Sequence, residues 1–334
     1  MGAIGIISNP GSGKDIRRLF SSSMNLMNSE KANIVERAIL AAYEFGTKKF
    51  YIMPDSYRTG ERVLKNIKGK KGIEVDLTTL NFRETGQPRD TEKAVEMMNE
   101  LDISCLVVLG GDGTSRLVAK GNPKMPIIPI ATGTNNVYPE NLEGTNVGMA
   151  AAYIDQKGYS NEIVYKDKRI DIFINGELKE VAVVEAIISS NPLIGSKAIW
   201  KTDEILEIVA ILCRADTIGF SAIIGVQEKA NQSDPFGFAA KVNKGSEKIK
   251  LPISAGEIIV INTTKPTKID LGKSYIYRAE QHGTLALDGE RTITYKIGDE
   301  IEFKITREGP IHVNVRNTLE KARDEGFFRI KDFE

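Results

Sequence analysis

The sequence predicts an α/β N-terminal domain with a doubly wound, mostly parallel sheet, followed by an all-β, sandwich-like domain. Short apolar runs alternate with amphipathic segments through the first part of the chain, which is the signature of repeated strand–helix units. From about Ile163 the period turns strand-like, and Asn175-Gly176, Ala255-Gly256, Asp288-Gly289 and Ile297-Gly298 punctuate the runs. A length of 334 residues also exceeds one comfortable core. The expected division is 1–158 for the α/β domain, 159–316 for the β domain and 317–334 for a terminal helix and tail.

In the first domain, Ala3–Ile7, Phe50–Met53, Val75–Leu80, Leu106–Leu109 and Pro126–Ile130 read as strands. Leu106–Leu109 is apolar throughout, as a strand buried on both faces must be. Helices are expected at Ser29–Phe45, with Ser29 as N-cap and Gly46 as stop, and at Glu61–Ile67, Pro88–Leu101 and Glu143–Gln156. One more helix should follow Gly110–Thr114. In the second domain the expected strands are Arg169–Ile174, Val181–Ser189, Ile208–Leu212, Gly219–Val226, Ile258–Ile261, Thr284–Leu287, Thr292–Lys296 and Glu300–Thr306. The Gly/Ser/Lys-rich stretch Gln227–Lys248 reads as an exposed loop, and Asn317–Glu325 as a helix.

Composition narrows the function classes. Lys+Arg and Asp+Glu both number 45, so bulk electrostatics gives no reason to expect a nucleic-acid or anionic-membrane partner. Two histidines exclude a His-rich metal site. Cys105 and Cys213 stand in separate apolar runs without a CxxC pairing, the usage of a reducing cytoplasm. The N-terminus lacks the pattern of a signal peptide, and runs such as Val181–Ile188 are too short to span a bilayer. A soluble, cytoplasmic protein is expected.

Chemistry concentrates in four segments. The fourth strand runs into Gly110-Gly111-Asp112-Gly113-Thr114. Glycines let the backbone approach an anion, and the following helix adds the positive end of its dipole. An acid in a pure phosphate cradle would repel its ligand, so Asp112 suits a group that handles a proton or holds a phosphate-bridging cation. The plainer alternative is a tight turn whose Asp caps the helix. Thr132-Gly133-Thr134-Asn135-Asn136 follows the next strand, at the sheet end where open α/β folds bind ligands. Ser8-Asn9-Pro10-Gly11-Ser12-Gly13-Lys14 follows the first strand but is no Walker loop: Ser8 replaces its first Gly and Asp15 its Ser/Thr. Asn9, Ser12 and backbone amides remain available to a nucleotide. Asp288-Gly289-Glu290 is first of all a hairpin turn, whose carboxylates could also meet nucleotide or Mg²⁺ across a cleft.

Taken in this order, the segments resemble the superfamily that joins NAD kinases to diacylglycerol, sphingosine and related lipid kinases. Asn9–Leu19, Ala131–Pro139 and Leu285–Arg291 look most like the acetoin-catabolism X branch. The resemblance implies an active site between the domains, ATP and Mg²⁺ as cofactors, a small-molecule hydroxyl acceptor with NAD the first candidate, and a homo-oligomer. It makes Asp112 the general base, with Gly110, Gly111, Gly113 and Thr114 cradling phosphate and Thr132, Gly133, Thr134, Asn135 and Asn136 holding nucleotide. Glu185, Asp288 and Glu290 would face the substrate or Mg²⁺, and Lys14 and Arg116 are candidate cations for the transferring group. Two positions depart from the relatives. Val184 precedes Glu185 where NAD kinases carry Asn, and Asn136 stands where lipid kinases carry Asp. A lipid kinase and a non-catalytic nucleotide-binding regulator are the competing readings.

Overall fold

The computed structural model describes residues 2–12, 26–70, 72–134, 136–193 and 202–330, without the Arg291 side chain. The first domain alternates β1 (Ala3–Ser8), α1 (Asn28–Glu44), β2 (Lys49–Ile52), α2 (Thr59–Lys68), β3 (Asp76–Thr79), α3 (Arg89–Asn99), β4 (Ile103–Gly110), α4 (Asp112–Lys120), β5 (Ile127–Ala131) and α5 (Gly144–Lys157). β1 to β5 pair in parallel in the order β3-β2-β1-β4-β5. Side chains of β1 alternate between two cores: Ile4 and Ile6 face α1, α2 and α5, whereas Ala3 and Ile7 face α3 and α4. Helices thus cover both faces, as a doubly wound sheet requires. The strand order reverses between β1 and β4, and at that point the loops beyond the strand ends diverge to leave a crevice.

The chain then passes through β6 (Val164–Lys166) into β7 (Arg169–Ile174), β8 (Glu177–Ala182), β9 (Glu185–Ser189) and β10 (Ile205–Ala210). After the single turn α6 (Ala222–Gly225) come β11 (Phe236–Ser254), β12 (Glu257–Thr263), β13 (Thr267–Asp270), β14 (Ser274–Arg278), β15 (Gly283–Leu287), β16 (Glu290–Tyr295) and β17 (Glu300–Thr306). The order β12-β11-β10-β9-β15-β16, with β13 also on β11, makes one antiparallel sheet, and β14-β17-β7-β8 makes the other. Ile172, Ile188, Val209, Leu285, Phe303 and Ile305 fill the space between them. The sandwich expected from the turn spacing is present.

Several local expectations are corrected. β18 (Ile311–Val313) and β6 do not belong to the sandwich assigned to 159–316. They extend the first sheet, β18 parallel to β5 and β6 antiparallel to β18, and α7 (Val315–Asp324) packs beside α5. Strands of three residues are too short to carry a period. The run Val181–Ser189 is two strands in two sheets, broken at Val183-Val184; every residue from Val181 to Ser189 is buried, so polarity does not mark the break. Gly219–Val226 is not a strand but the approach to α6, because Gly219 leaves the extended region at φ 105°. Within Gln227–Lys248 the stretch from Phe236 belongs to β11, hydrogen-bonded to β10, β12 and β13; its lysines point outward around a buried Phe238-Ala239-Ala240. α1 starts at Asn28 with Met27 at the N-cap, not at Ser29. No helix among the described residues is long and apolar enough to cross a membrane.

Helices α1 and α5 approach closely because Gly148 lacks a side chain: a Cβ there would lie 2.1 Å from the Ala38 carbonyl oxygen. Gly148→Ala is expected to destabilise the protein by about 1–3 kcal/mol, the usual cost of overpacking. A denaturant-unfolding midpoint indistinguishable from the parent would contradict this packing.

Candidate active site

A cavity of about 590 Å³ opens at the carboxyl ends of β1, β4 and β5, and the sandwich forms part of its wall. Of the residues singled out from the sequence, Asn9, Ser12, Gly111, Asp112, Gly113, Thr114, Gly133, Thr134, Glu185, Asp288 and Glu290 line it. Asn135, Gly13 and Lys14 lie outside the described residues. Gly110, Thr132 and Asn136 are not in the lining but build it. A Cβ on Gly110 would fall 2.3 Å from the Thr114 Cβ, so only glycine lets α4 start there. Thr132 is buried, donates its N–H to the Gly110 carbonyl at 2.9 Å and keeps its hydroxyl 3.1 Å from Ser12 Oγ. Asn136 clasps Gly133 from both sides, accepting its N–H at 2.8 Å and donating to its carbonyl at 2.9 Å.

The two glycine loops meet backbone to backbone. A Cβ on Gly133 would lie 2.6 Å from the Gly111 Cα. Asn9 joins them through Nδ2, which donates to Thr114 Oγ1 at 2.9 Å. Asp112 opens α4 behind an N-cap glycine, Gly111. Its carboxylate reaches across to the second loop, accepting the N–H groups of Val137 and Tyr138, each at 2.9 Å on Oδ1. Charge-assisted bonds of this kind fix orientation, and the side chain is held on the cavity wall at 7% exposure. The Thr134 hydroxyl is buried without a hydrogen-bond partner among the described residues.

The sandwich contributes the Asp288-Gly289-Glu290 turn. Asp288 has φ 50° and accepts the N–H groups of Val183, Val184 and Glu185 at 3.0, 2.8 and 3.1 Å. These are the donors freed where β8 gives way to β9. Burial pushes the Asp288 carboxyl up to about 6, against the pull of the Arg116 guanidinium and the three N–H groups. Asp288 therefore has a structural task, and Glu290 is the better placed of the pair to meet a ligand. The Glu290 carboxylate lies 3.6 Å from where a Cβ of Gly113 would be, over the first turn of α4.

The cations differ from expectation. Arg116 does not face the cavity: it is buried, and its Nη1 bonds Glu180 of β8 at 3.1 Å. Lys120 joins the same carboxylate at 2.5 Å, so this cluster fastens α4 to the sandwich. Lys31 was missed. It is 1% exposed, and its Nζ donates to the Asn9 carbonyl, the Ser12 carbonyl and Ser12 Oγ at 2.9, 2.7 and 2.8 Å. The signal was present in the sequence, since Lys31 shares the apolar helical stripe of Val35, Ala38 and Ala42. Also missed were wall residues beyond the ends of β2 and β3, among them Met53, Asp55 and Glu84, with Asp90 in the first turn of α3, and Ile218 and Phe220 ahead of α6. Both cysteines are buried free thiols, and burial pushes Cys213 up to about 12, which leaves neither suited to act as a nucleophile.

Behind the second loop lies a buried polar cluster. Tyr138 Oη donates to Asp167 Oδ2, which also contacts His312 Nδ1 at 3.0 Å. His312 stacks on Tyr165 at 4.9 Å and has Glu140 3.5 Å from Nε2. Burial alone would lower the His312 imidazole, but Asp167 and then Glu140 outweigh it and push it up to about 9.

Comparison with known proteins agrees with this architecture. The ATP-NAD kinase N-terminal domain matches residues 4–158, and the acetoin catabolism protein X C-terminal domain matches residues 168–308. The chain is 31% identical over 311 residues to acetoin catabolism protein X of Cupriavidus necator, covering 89% of this chain and 86% of that protein. It is 26% identical over 234 residues to the NAD kinase of Methanosarcina barkeri, covering 67% of this chain and 78% of the other. Yeast NADH kinase, solved with NADH, superposes with a TM-score of 0.53 at 13% identity, covering 100% of this chain and 90% of that one; at that identity the likeness is one of fold. Fold and cleft together define a two-domain protein of the NAD kinase type. Within that class the chain belongs to the acetoin catabolism protein X family.

The His312–Asp167 pair gives stability a pH signature. A histidine near 6.5 when unfolded and near 9 when folded contributes fully below the lower value and loses its contribution as pH rises through the upper one. Urea unfolding of parent and His312→Leu at pH 6.5, 8 and 10 should show the parent's advantage shrinking with pH. A constant difference would show that the imidazole is not charged in the folded state.

Proposed function

We propose that the chain is an ATP-dependent phosphotransferase that acts on the hydroxyl group of a small molecule, with NAD the first acceptor to test. The observation that carries this reading is Asp112 on the wall of a cavity between two touching glycine loops, at the N-terminus of α4 and opposite Glu290. The names of the Methanosarcina and yeast relatives supply NAD and NADH as candidates. Two buried, unpaired thiols fit a reducing compartment.

The residues present suit a nucleotide. A Cβ on Gly133 would clash with the Gly111 backbone, the N-terminus of α4 favours anions, and the Thr134 hydroxyl has no hydrogen-bond partner among the described residues. These groups would hold the phosphates, with Asn9 and Thr114 bracing the loop. Among the described residues no group of three or more His, Cys, Asp or Glu could hold a metal alone. That suits Mg²⁺, which binds through one or two carboxylates together with substrate phosphates, and Glu290 is the carboxylate we assign to it. When bound, the ion offsets charge on the phosphates. Asp112 then accepts the proton of the attacking hydroxyl, held in aim by the Val137 and Tyr138 amides. Lys31 keeps the Asn9–Ser12 turn closed against the cavity. Phosphoryl transfer depends on positioning and charge compensation, and these residues supply both.

A positioned base contributes about 10²–10⁴ in rate. With γ-labelled ATP and Mg²⁺, label should pass to NAD or to another hydroxyl acceptor, and Asp112→Asn should lower kcat by about 10²–10⁴ while ATP still binds. ATP binding without transfer to any acceptor would replace this reading with that of a nucleotide-binding regulator.

A further inference from the structure

We propose that Tyr138, Asp167 and His312 form a positioning unit that sets the aim of Asp112 from the hinge between the two domains. The proposal rests on the reading of Asp112 as the base.

The chain crosses between the first sheet and the sandwich twice, at the β6–β7 junction and again between β17 and β18. Asp167 is where the two crossings touch. Its N–H donates to the Pro310 carbonyl at 2.9 Å, and its own carbonyl accepts the Gly309 N–H at 3.1 Å. A Cβ on Gly309 would come within 2.8 Å of the Asp167 carbonyl oxygen, so the crossings are in backbone contact. Arg307 and Lys168 bind the hinge further. Arg307 donates to the carbonyls of Lys166, Gln232 and Ser233, and Lys168 Nζ to those of Ile211 and Phe236.

From this clasp the fully buried Asp167 carboxylate points back under the catalytic loop. Its Oδ2 takes the Tyr138 hydroxyl and the His312 imidazole. Tyr138 is thereby held at both ends: its ring oxygen is fixed to the hinge, and its backbone N–H is one of the donors on Asp112 Oδ1. The path from hinge to base is one aromatic side chain with two rotatable bonds. His312 is wedged between rings, stacked on Tyr165 at an interplanar angle of 14° and tilted against Tyr138 at 5.6 Å, so the acceptor geometry of Asp167 is defined as well. An apolar cluster would fill this space at least as stably, since buried ion pairs add little net stability. What the polar cluster adds is a single orientation of Tyr138 relative to both crossings. A change in the angle between the domains would then reach Asp112 through the Tyr138 amide.

The test uses the full chain with Tyr138→Phe, which removes one oxygen, alone and combined with Asp112→Asn. Hydrogen exchange is followed at the Val137 and Tyr138 amides alongside steady-state transfer from labelled ATP. Expected are exchange about tenfold faster at those two amides with β4 unchanged, and kcat down about tenfold with the KM for ATP within about twofold. In the Asp112→Asn background, Tyr138→Phe should change kcat by less than about twofold, because both act on one group. His312→Gln, which keeps an N–H facing Asp167, should recover most of what His312→Leu loses, and this pair serves if Tyr138→Phe does not fold. Unchanged exchange at the two amides, a rise spread evenly over the first domain, or an equal loss from Tyr138→Phe with and without Asp112 would each overturn the proposal. If Asp112→Asn alone leaves kcat intact, the base assignment falls, and exchange at the two amides still decides whether hinge and loop are coupled.

Discussion

The site depends on the backbone contact between Gly111 and Gly133. With no Cβ on Gly133 the loop after β5 closes onto the Gly111 backbone, and at that separation the Asp112 carboxylate spans from one loop to the amides of the other. Each feature requires the other. Spreading the loops would strand two buried N–H groups, each costing about 1–3 kcal/mol without a partner. A residue at 112 without a side-chain acceptor would leave the second loop without its anchor. The same contact aligns the N-terminus of α4 with the turn at Asp288-Gly289-Glu290, so cradle, carboxylate and sandwich address one volume.

The second domain is held to this arrangement by buried charge rather than by apolar contact alone. Arg116 and Lys120 of α4 meet Glu180 of β8, and Asp167 joins both crossings of the chain. Removing one member of such a cluster leaves an uncompensated charge, so these groups act as registers that admit one relative position of the two halves. A cleft built from both domains needs that definition, because a displacement of 1 Å at the reacting atoms can cost about 10²-fold in rate.

The architecture was legible because strong periods survive burial: β1, β4, β7 and β17 match their apolar runs to within a few residues. The glycine loops were legible through their order with the Asn9–Ser12 and Asp288–Glu290 segments, because a glycine-rich strand–helix turn alone is common. What the sequence hid follows a physical pattern. The break inside Val181–Ser189 is invisible because both flanks are buried, and its cause is a carboxylate more than a hundred residues away. The three-residue strands β6 and β18 join the first sheet only through pairing across the hinge. β11 looked like a loop because its composition reflects the exposed side while hydrogen bonds to three neighbours make it a strand. Arg116 read as a candidate cation for the transferring group because its partner Glu180 is on another domain, whereas Lys31 was detectable as a charge within an apolar stripe.

The central claim is that the two loops and the sandwich turn enclose one phosphate site with Asp112 facing it. A crystal structure with a non-hydrolysable ATP analogue and Mg²⁺ tests this most directly. The account predicts phosphate oxygens on the amides of Gly111–Thr114 and Gly133–Thr134, the ion between them and Glu290, and the Asp112 carboxylate open to the space beside the terminal phosphate. Phosphates bound away from both glycine loops, or an Asp112 carboxylate shut off from them by protein, would contradict it.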